Sequence, residues 1–343
     1  MKSILFSVLA AASFSGSFAQ GPTTAGEQAL PSVYLNAHTP VKSQGQTGTC
    51  WSFSTTALLE SQALKNKLDS FDLSEMFTVR NIYVEKAMNY LVRQGSASFG
   101  EGSLGHDVIR AVATYGAMPE QAYSGLTPGR VNHNHSLLIK ELRSYLDSLL
   151  TANSFPSFWQ TRFNDMLDKH LGKLPGAFTY RGKIYTSVSF AKELIKFVAN
   201  DYVNITSFTH KAYYQNFILD VPDNFSNGSY YNLPLAEMIQ TVKDATKNGY
   251  TVMWDADVSN NGFSQENGFA LFLPQGKKYG YIDATTPEEK FHATLRQNLF
   301  ENFTTQDDHL MQVIGAAQSK SGKYFFTVKN SWGLLALLKI GYR

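Results

Sequence analysis

The chain has 343 residues, 43% of them hydrophobic and 13% aromatic, with 30 basic and 28 acidic side chains and a formal net charge of +2. So much apolar side chain fills a large core, and the length suits one two-lobed domain or two domains. The charge balance, without a basic run or patch of the kind that neutralises phosphates, predicts no nucleic-acid partner, and a single cysteine excludes an internal disulfide.

Met1-Lys2-Ser3, an apolar run from Ile4 to Ala12 and small residues at Ser17 and Ala19 read as a signal peptide over 1–19. Cleavage after Ala19 leaves 343 − 19 = 324 residues, expected to be secreted or periplasmic. The run is too short for a bilayer and no other stretch reaches about 18 uninterrupted apolar residues, so no membrane span is expected. Residues 20–43 read as a short leader rich in Pro, Thr, Ala and Gly.

The chain is organised around Gln44-Gly45-Gln46-Thr47-Gly48-Thr49-Cys50-Trp51-Ser52-Phe53-Ser54, which holds its only cysteine. Phe53, Ala57, Leu58, Ala63 and Leu64 recur at helical spacing, so the pattern is a buried helix whose first turn begins at Cys50. A lone cysteine is ordinarily a small inert hydrophobe. At a helix N-terminus, however, unpaired N–H groups and the aligned peptide dipoles favour the nucleophilic thiolate.

A second helix is expected after Leu73-Ser74-Glu75, running to about Arg93. The glycine-rich loop Phe99 to Asp107 then leads into a short helix that ends at Tyr115-Gly116, with Pro119 beyond. From about Thr127 to Ser207 the pattern is helical at Leu137–Leu150, Phe158–Leu171 and Phe190–Val198, with a strand at Lys183–Thr186. Its His133-Asn134-His135 offers two imidazoles at i and i+2 and lacks the further ligands of a zinc site, so no metal is expected. The chain turns β-rich near Phe208, with a helix at Leu235–Asn248 and a strand at Tyr250–Trp254. Asp257 to Gly262 imitates half a calcium loop, but Gly268 stands where a bidentate glutamate should, so a hairpin turn is the better account. Repeats, phosphate loops and His-Glu-x-x-His helices are absent from the sequence, and no cofactor is expected.

A nucleophilic thiol needs a base and a group that orients it. Of eight histidines, His309 opens a strand-like run to Ala317. A turn over Ser319–Gly322, a strand Tyr324–Val328 and then Lys329-Asn330-Ser331-Trp332-Gly333 follow.

These segments resemble the papain-like cysteine peptidases. Gln44, Gly48, Cys50 and Trp51 are similar to the family's oxyanion-glutamine and cysteine segment, and the hairpin from His309 to Trp332 is similar to its His and Asn-Ser-Trp-Gly segment. Thr47 stands where secreted members carry a disulfide cysteine, a departure that resembles the bleomycin hydrolase and aminopeptidase C branch. His309 and Asn330 lie 309 − 50 = 259 and 330 − 50 = 280 residues after Cys50. The family spacing is about 130 to 150. Extra length between the lobes is also a mark of that branch.

The resemblance implies an α+β, papain-like two-lobed fold. Residues 44–207 form a helical left lobe with an insertion at about 127–207, and 208–343 form an antiparallel β-barrel-like right lobe. It implies Cys50 as nucleophile, His309 as base, Asn330 as orienting amide and Gln44 as oxyanion donor. Gly102 and Ser103 would bind substrate backbone, and Trp332 would shield the site. The reaction is peptide-bond hydrolysis, of the aminopeptidase kind. The branch forms hexameric barrels, so a homo-oligomer is implied, and the leader has no room for the family's long inhibitory propeptide. After Gly333 the Leu-rich run to Ile340 lacks the turn residues that lead family members into a final strand. Since the branch uses its own C-terminus to select free N-termini, that tail leaves a second reading open, a catalytically inactive secreted binding protein on the same scaffold.

Overall fold

The computed structural model describes residues 30–152, 155–274, 276–333 and 337–341; the proposed signal peptide and the first part of the leader lie outside the described residues. The first element is a strand the sequence did not announce, β1 (Ser32–Leu35), within the stretch read as leader. Four residues are too few to show an alternating pattern. Their pairing is supplied by a distant strand.

Helix α1 (Cys50–Lys65) begins at the cysteine. It is buried on nearly every side, Trp51, Ser52, Thr55 and Leu59 included, which is why its pattern is continuous rather than one-faced. Helix α2 (Glu75–Val92) starts where Ser74 Oγ accepts the Phe77 N–H at 3.0 Å, satisfying one of the unpaired donors of its first turn. Helix α3 (Gly105–Tyr115) stops at Gly116, whose φ of +79° is left-handed and whose missing Cβ would strike the Ser187 backbone. Helices α4 (Ser136–Thr151) and α5 (Trp159–Leu171) add Leu138, Leu142, Leu146, Phe163 and Leu167 to the core formed by Trp51, Phe77, Ile82, Tyr83 and Val108.

A hairpin of β2 (Phe178–Tyr180) and β3 (Lys183–Tyr185) follows, then α6 (Ser187–Phe190), continued as a π-turn over Ala191–Ile195. This helical piece begins earlier than the expected Phe190–Val198 because Thr186 and Ser189 form a reciprocal capping box, and it ends at Lys196 with a left-handed φ of +53°. Strands β4 (Ile205–Thr206), β5 (Asn216–Ile218) and β6 (Ser229–Asn232) make a small sheet with β6 in the middle.

Helix α7 (Leu235–Lys247) precedes the strands of the large sheet, β7 (Val252–Ala256), β8 (Phe263–Ser264) and β9 (Phe269–Ala270). Next come α8 (Ala293–Glu301), which no periodicity announced, and β10 (His309–Gln318), β11 (Tyr324–Lys329) and β12 (Leu337–Gly341). Strand β10 lies at the centre. One edge pairs with β11, and the other is shared end to end by β7, against His309–Val313, and β1, against Gly315–Ala317.

The Leu-rich tail resolves into β12, antiparallel to β11 and parallel to β9, with Leu338 fully buried. Leu338 and Ile340 pack into the cluster of Met311, Val313 and Val328, while Lys339 between them donates to Thr327 Oγ1 at 2.8 Å. The architecture is α+β: a helical lobe joined to a sheet lobe where α1 packs on β10 through Leu310 and Gln312. Gln312 ties that joint by donating to the Ala57 carbonyl at 3.0 Å and to Ser61 Oγ at 2.8 Å.

Candidate active site

The seam between α1 and β10 gathers Gln44, Cys50, His309, Asn330 and Trp332 in one place. Cys50 is the first residue of α1 and is 7% exposed. Leu310 lies in the same buried cluster, and the backbone N–H groups of Leu310 and Trp51 favour the ionised sulfur. The thiol of the helix terminus thus lies against the residue that follows His309.

His309 opens β10, and Asn330 follows the last residue of β11. Imidazole Nε2 meets Asn330 Oδ1 at 2.6 Å. The same oxygen accepts the Ser331 backbone N–H at 2.7 Å, while Asn330 Nδ2 donates to Gln265 Oε1 at 2.8 Å. Both neighbours of the Asn330 amide therefore require Oδ1 to face the imidazole. This places the hydrogen on Nε2 and leaves Nδ1 as the free lone pair. The Trp332 ring lies 4.6 Å from the His309 ring and is itself 42% exposed, a lid between imidazole and water.

Gln44 is held from both sides. Its backbone N–H donates to the Ser331 carbonyl at 2.9 Å, and its Oε1 accepts from Ser331 Oγ at 2.5 Å. Nε2 donates to the Thr47 carbonyl at 2.6 Å and keeps a second N–H. Thr47 itself hydrogen-bonds Gln44 O and Thr49 Oγ1, and the adjacent Gly48 N–H donates to Glu101 Oε2 at 2.6 Å. These polar contacts hold the loop against the glycine-rich segment.

Gly102 lies on that segment, with its carbonyl bonded by the buried Lys86 ammonium. Its Cα faces the Asp223 carboxylate, and a Cβ there would collide with it. Ser103 is buried, and its hydroxyl donates to Asp107 Oδ2 at 2.7 Å rather than facing the cleft. His135 pairs with Tyr83 Oη at 3.0 Å. Burial, with His133 adding to it, pushes His135 down to about 3. Among the described residues no group of three or more His, Cys, Asp or Glu is placed to hold a metal ion.

The electrostatics differ from the sequence expectation of a resting thiolate. Burial pushes the Cys50 thiol up to about 12 against the pull of the Leu310 N–H, with Asp255 and Asp307 adding to the rise. Burial pushes His309 down, with Asn330 and Asp308 opposing. Burial thus favours the neutral form of each group, against the pull of the helix terminus on the sulfur. Asp255, opposite Leu310 in the β7–β10 register, is held well above the usual carboxylate range by burial and by Asp307. Burial and Asp223 raise Asp307 to about 6. No sequence motif announced either of them or Gln265.

Residues 33–80 match the family model described as papain family cysteine protease. The chain is 24% identical over 339 residues to Aminopeptidase G of Lactobacillus delbrueckii subsp. lactis, an alignment spanning 85% of this chain and 74% of that relative. Its fold is similar to the crystal structure of PepW from Lactobacillus rhamnosis HN001, with a TM-score of 0.65, 16% identity, and coverage of 91% of this chain and 78% of that one. The α1–β10 seam and these likenesses together support a papain-like cysteine peptidase, similar to the aminopeptidase C and bleomycin hydrolase branch.

Proposed function

We propose that this peptidase is an aminopeptidase that works through Cys50, His309 and Asn330. The observation that carries the assignment is the 2.6 Å contact of His309 Nε2 with Asn330 Oδ1, on the strand whose next residue, Leu310, shares a buried cluster with Cys50. With Nδ1 free, His309 takes the thiol proton as the sulfur attacks the peptide carbonyl, then passes it to the leaving amine. Water activated by the same imidazole releases the acyl group. The second N–H of Gln44 Nε2 and the Cys50 backbone N–H, unpaired at the helix start, hydrogen-bond the oxyanion. The naming of one relative as Aminopeptidase G supports removal of N-terminal residues over internal cleavage.

Peptides with free and with blocked N-termini, offered to the chain from Gln20 onward, test the assignment. Hydrolysis of free-amine substrates alone is expected, with no turnover by Cys50→Ala and a loss of about 10- to 100-fold in Asn330→Ala. Internal cleavage of blocked peptides at equal rates would overturn the aminopeptidase reading. Single-turnover acylation by Asn330→Ala at the wild-type rate would overturn the role of Asn330. Export with cleavage after Ala19 is part of the proposal and is checked by N-terminal sequencing of the secreted chain.

A further inference from the structure

An asparagine can orient an imidazole only if its own amide is oriented, because one end accepts and the other donates. Asn330 meets that need through a residue outside every motif. Its Oδ1 faces His309 Nε2 and the Ser331 N–H, and its opposite end donates to Gln265 Oε1 at 2.8 Å. Turning the amide over would set its N–H groups against the Ser331 N–H and its oxygen against Gln265 Oε1, and the buried Nε2 of Gln265 has no other hydrogen-bond partner among the described residues.

Gln265 begins the turn between β8 and β9, and that turn is fastened on three sides. Ser264 Oγ accepts the Asn267 N–H at 3.1 Å, and Asn267 Oδ1 accepts the Ile282 N–H at 3.2 Å. The carbonyl of Gly268, whose φ of +71° suits glycine, accepts the Lys339 N–H of β12 at 2.8 Å. Position therefore passes from β12 to the turn, from the turn to Gln265, and from Gln265 through Asn330 to His309.

We infer that Gln265 is a positioning residue of the peptidase site: its Oε1 selects the orientation of the Asn330 amide and so holds His309 in the Nε2–H tautomer that leaves Nδ1 free. The inference rests on the assignment of Cys50, His309 and Asn330 above.

Two substitutions in the whole chain test it. Gln265→Met keeps the length of the side chain and removes the acceptor. On a free-amine peptide kcat is expected to fall about tenfold, the loss of one neutral hydrogen bond to a reacting assembly, with KM within about twofold and Tm unchanged. Gln265→Glu keeps the acceptor and adds a negative charge. It is expected to stay within about threefold of wild-type kcat, while the acid limb of kcat/KM moves upward because a nearby carboxylate favours the imidazolium, which cannot take the thiol proton.

Imidazole nitrogen shifts of labelled His309 read the tautomer without substrate: a single Nε2–H form is expected in the wild type and a mixture in Gln265→Met. A Met variant with wild-type kcat and one tautomer overturns the inference. So does a Glu variant as slow as the Met variant with an unmoved acid limb. Cys50→Ala, run alongside, separates the two layers. If it still hydrolyses the peptide, the site assignment fails. If it is inactive while Gln265→Met is unimpaired, only the role of Gln265 falls.

Discussion

Two buried polar regions flank α1, and they are wired in opposite ways. Behind the helix, Lys42 Nζ reaches Glu75 Oε1 at 2.8 Å, Asp72 Oδ1 at 2.7 Å and Glu60 Oε1 at 3.4 Å. Glu60 also accepts from Thr39 Oγ1 at 2.5 Å and from the Leu73 N–H at 2.8 Å. Burial pulls Lys42 down, but Glu75 and Glu60 outweigh it and the ammonium is held above its usual range. Lys329 enters the same region from β11, donating to the Thr39 carbonyl at 3.1 Å, and burial lowers it to about 8. At the mouth of the helix, by contrast, Asp255 and Asp307 face each other near the thiol, with buried oxygens that have no hydrogen-bond partner among the described residues. Opposite charges join the two lobes in the first region. In the second, burial favours the protonated thiol, with Asp255 and Asp307 adding to it.

The largest effect should come from breaking the first region. Lys42→Met leaves Glu60 and Glu75 buried without their cation and is expected to cost about 3 kcal/mol of stability, read as a lower urea midpoint. Glu75 is already raised to about 8, by burial against the pull of Lys42, and losing the lysine raises it further. A midpoint unchanged at neutral pH would show that the lobes are held by packing alone.

Breaking the second region should act on reactivity instead. Asp255→Asn combined with Asp307→Asn removes the shared negative charge, which lowers the Cys50 pKa. Alkylation of this single thiol at pH 7 is expected to quicken roughly three- to tenfold, with little change in the urea midpoint. An unchanged rate would mean that burial alone sets the thiol. The smallest effect sharpens the comparison at its edge: Trp332→Ala hydrates the imidazole, so the depressed His309 pKa should rise by less than about one unit, followed by ring-proton shifts against pH. A fall would refute the lid.

Local chemistry made part of this legible from residues alone. Cys50 could be placed because a polar loop running into an apolar run marks a helix start, and α1 begins there. The caps at Ser74 and Gly116 bound α2 and α3 for similarly local reasons. Gln265, Asp255 and Asp223 were silent because their positions depend on register between distant strands and on a loop laid over Gly102, neither of which has a short-range signature. Strand β1 failed to show for the same reason, since half its definition lies in β10. The tail misled because an interior strand and an exposed greasy end have the same composition, and only pairing with β9 and β11 tells them apart.

The position of β10, β11 and β12 at the end of the chain also sets an order in time. Cys50 is synthesised 330 − 50 = 280 residues before Asn330. At typical elongation rates that is on the order of tens of seconds. Through that interval the thiol has no imidazole to take its proton and no amide to orient one. On the proposed assignment, competence arrives only once β10 and β11 are laid against the first helix.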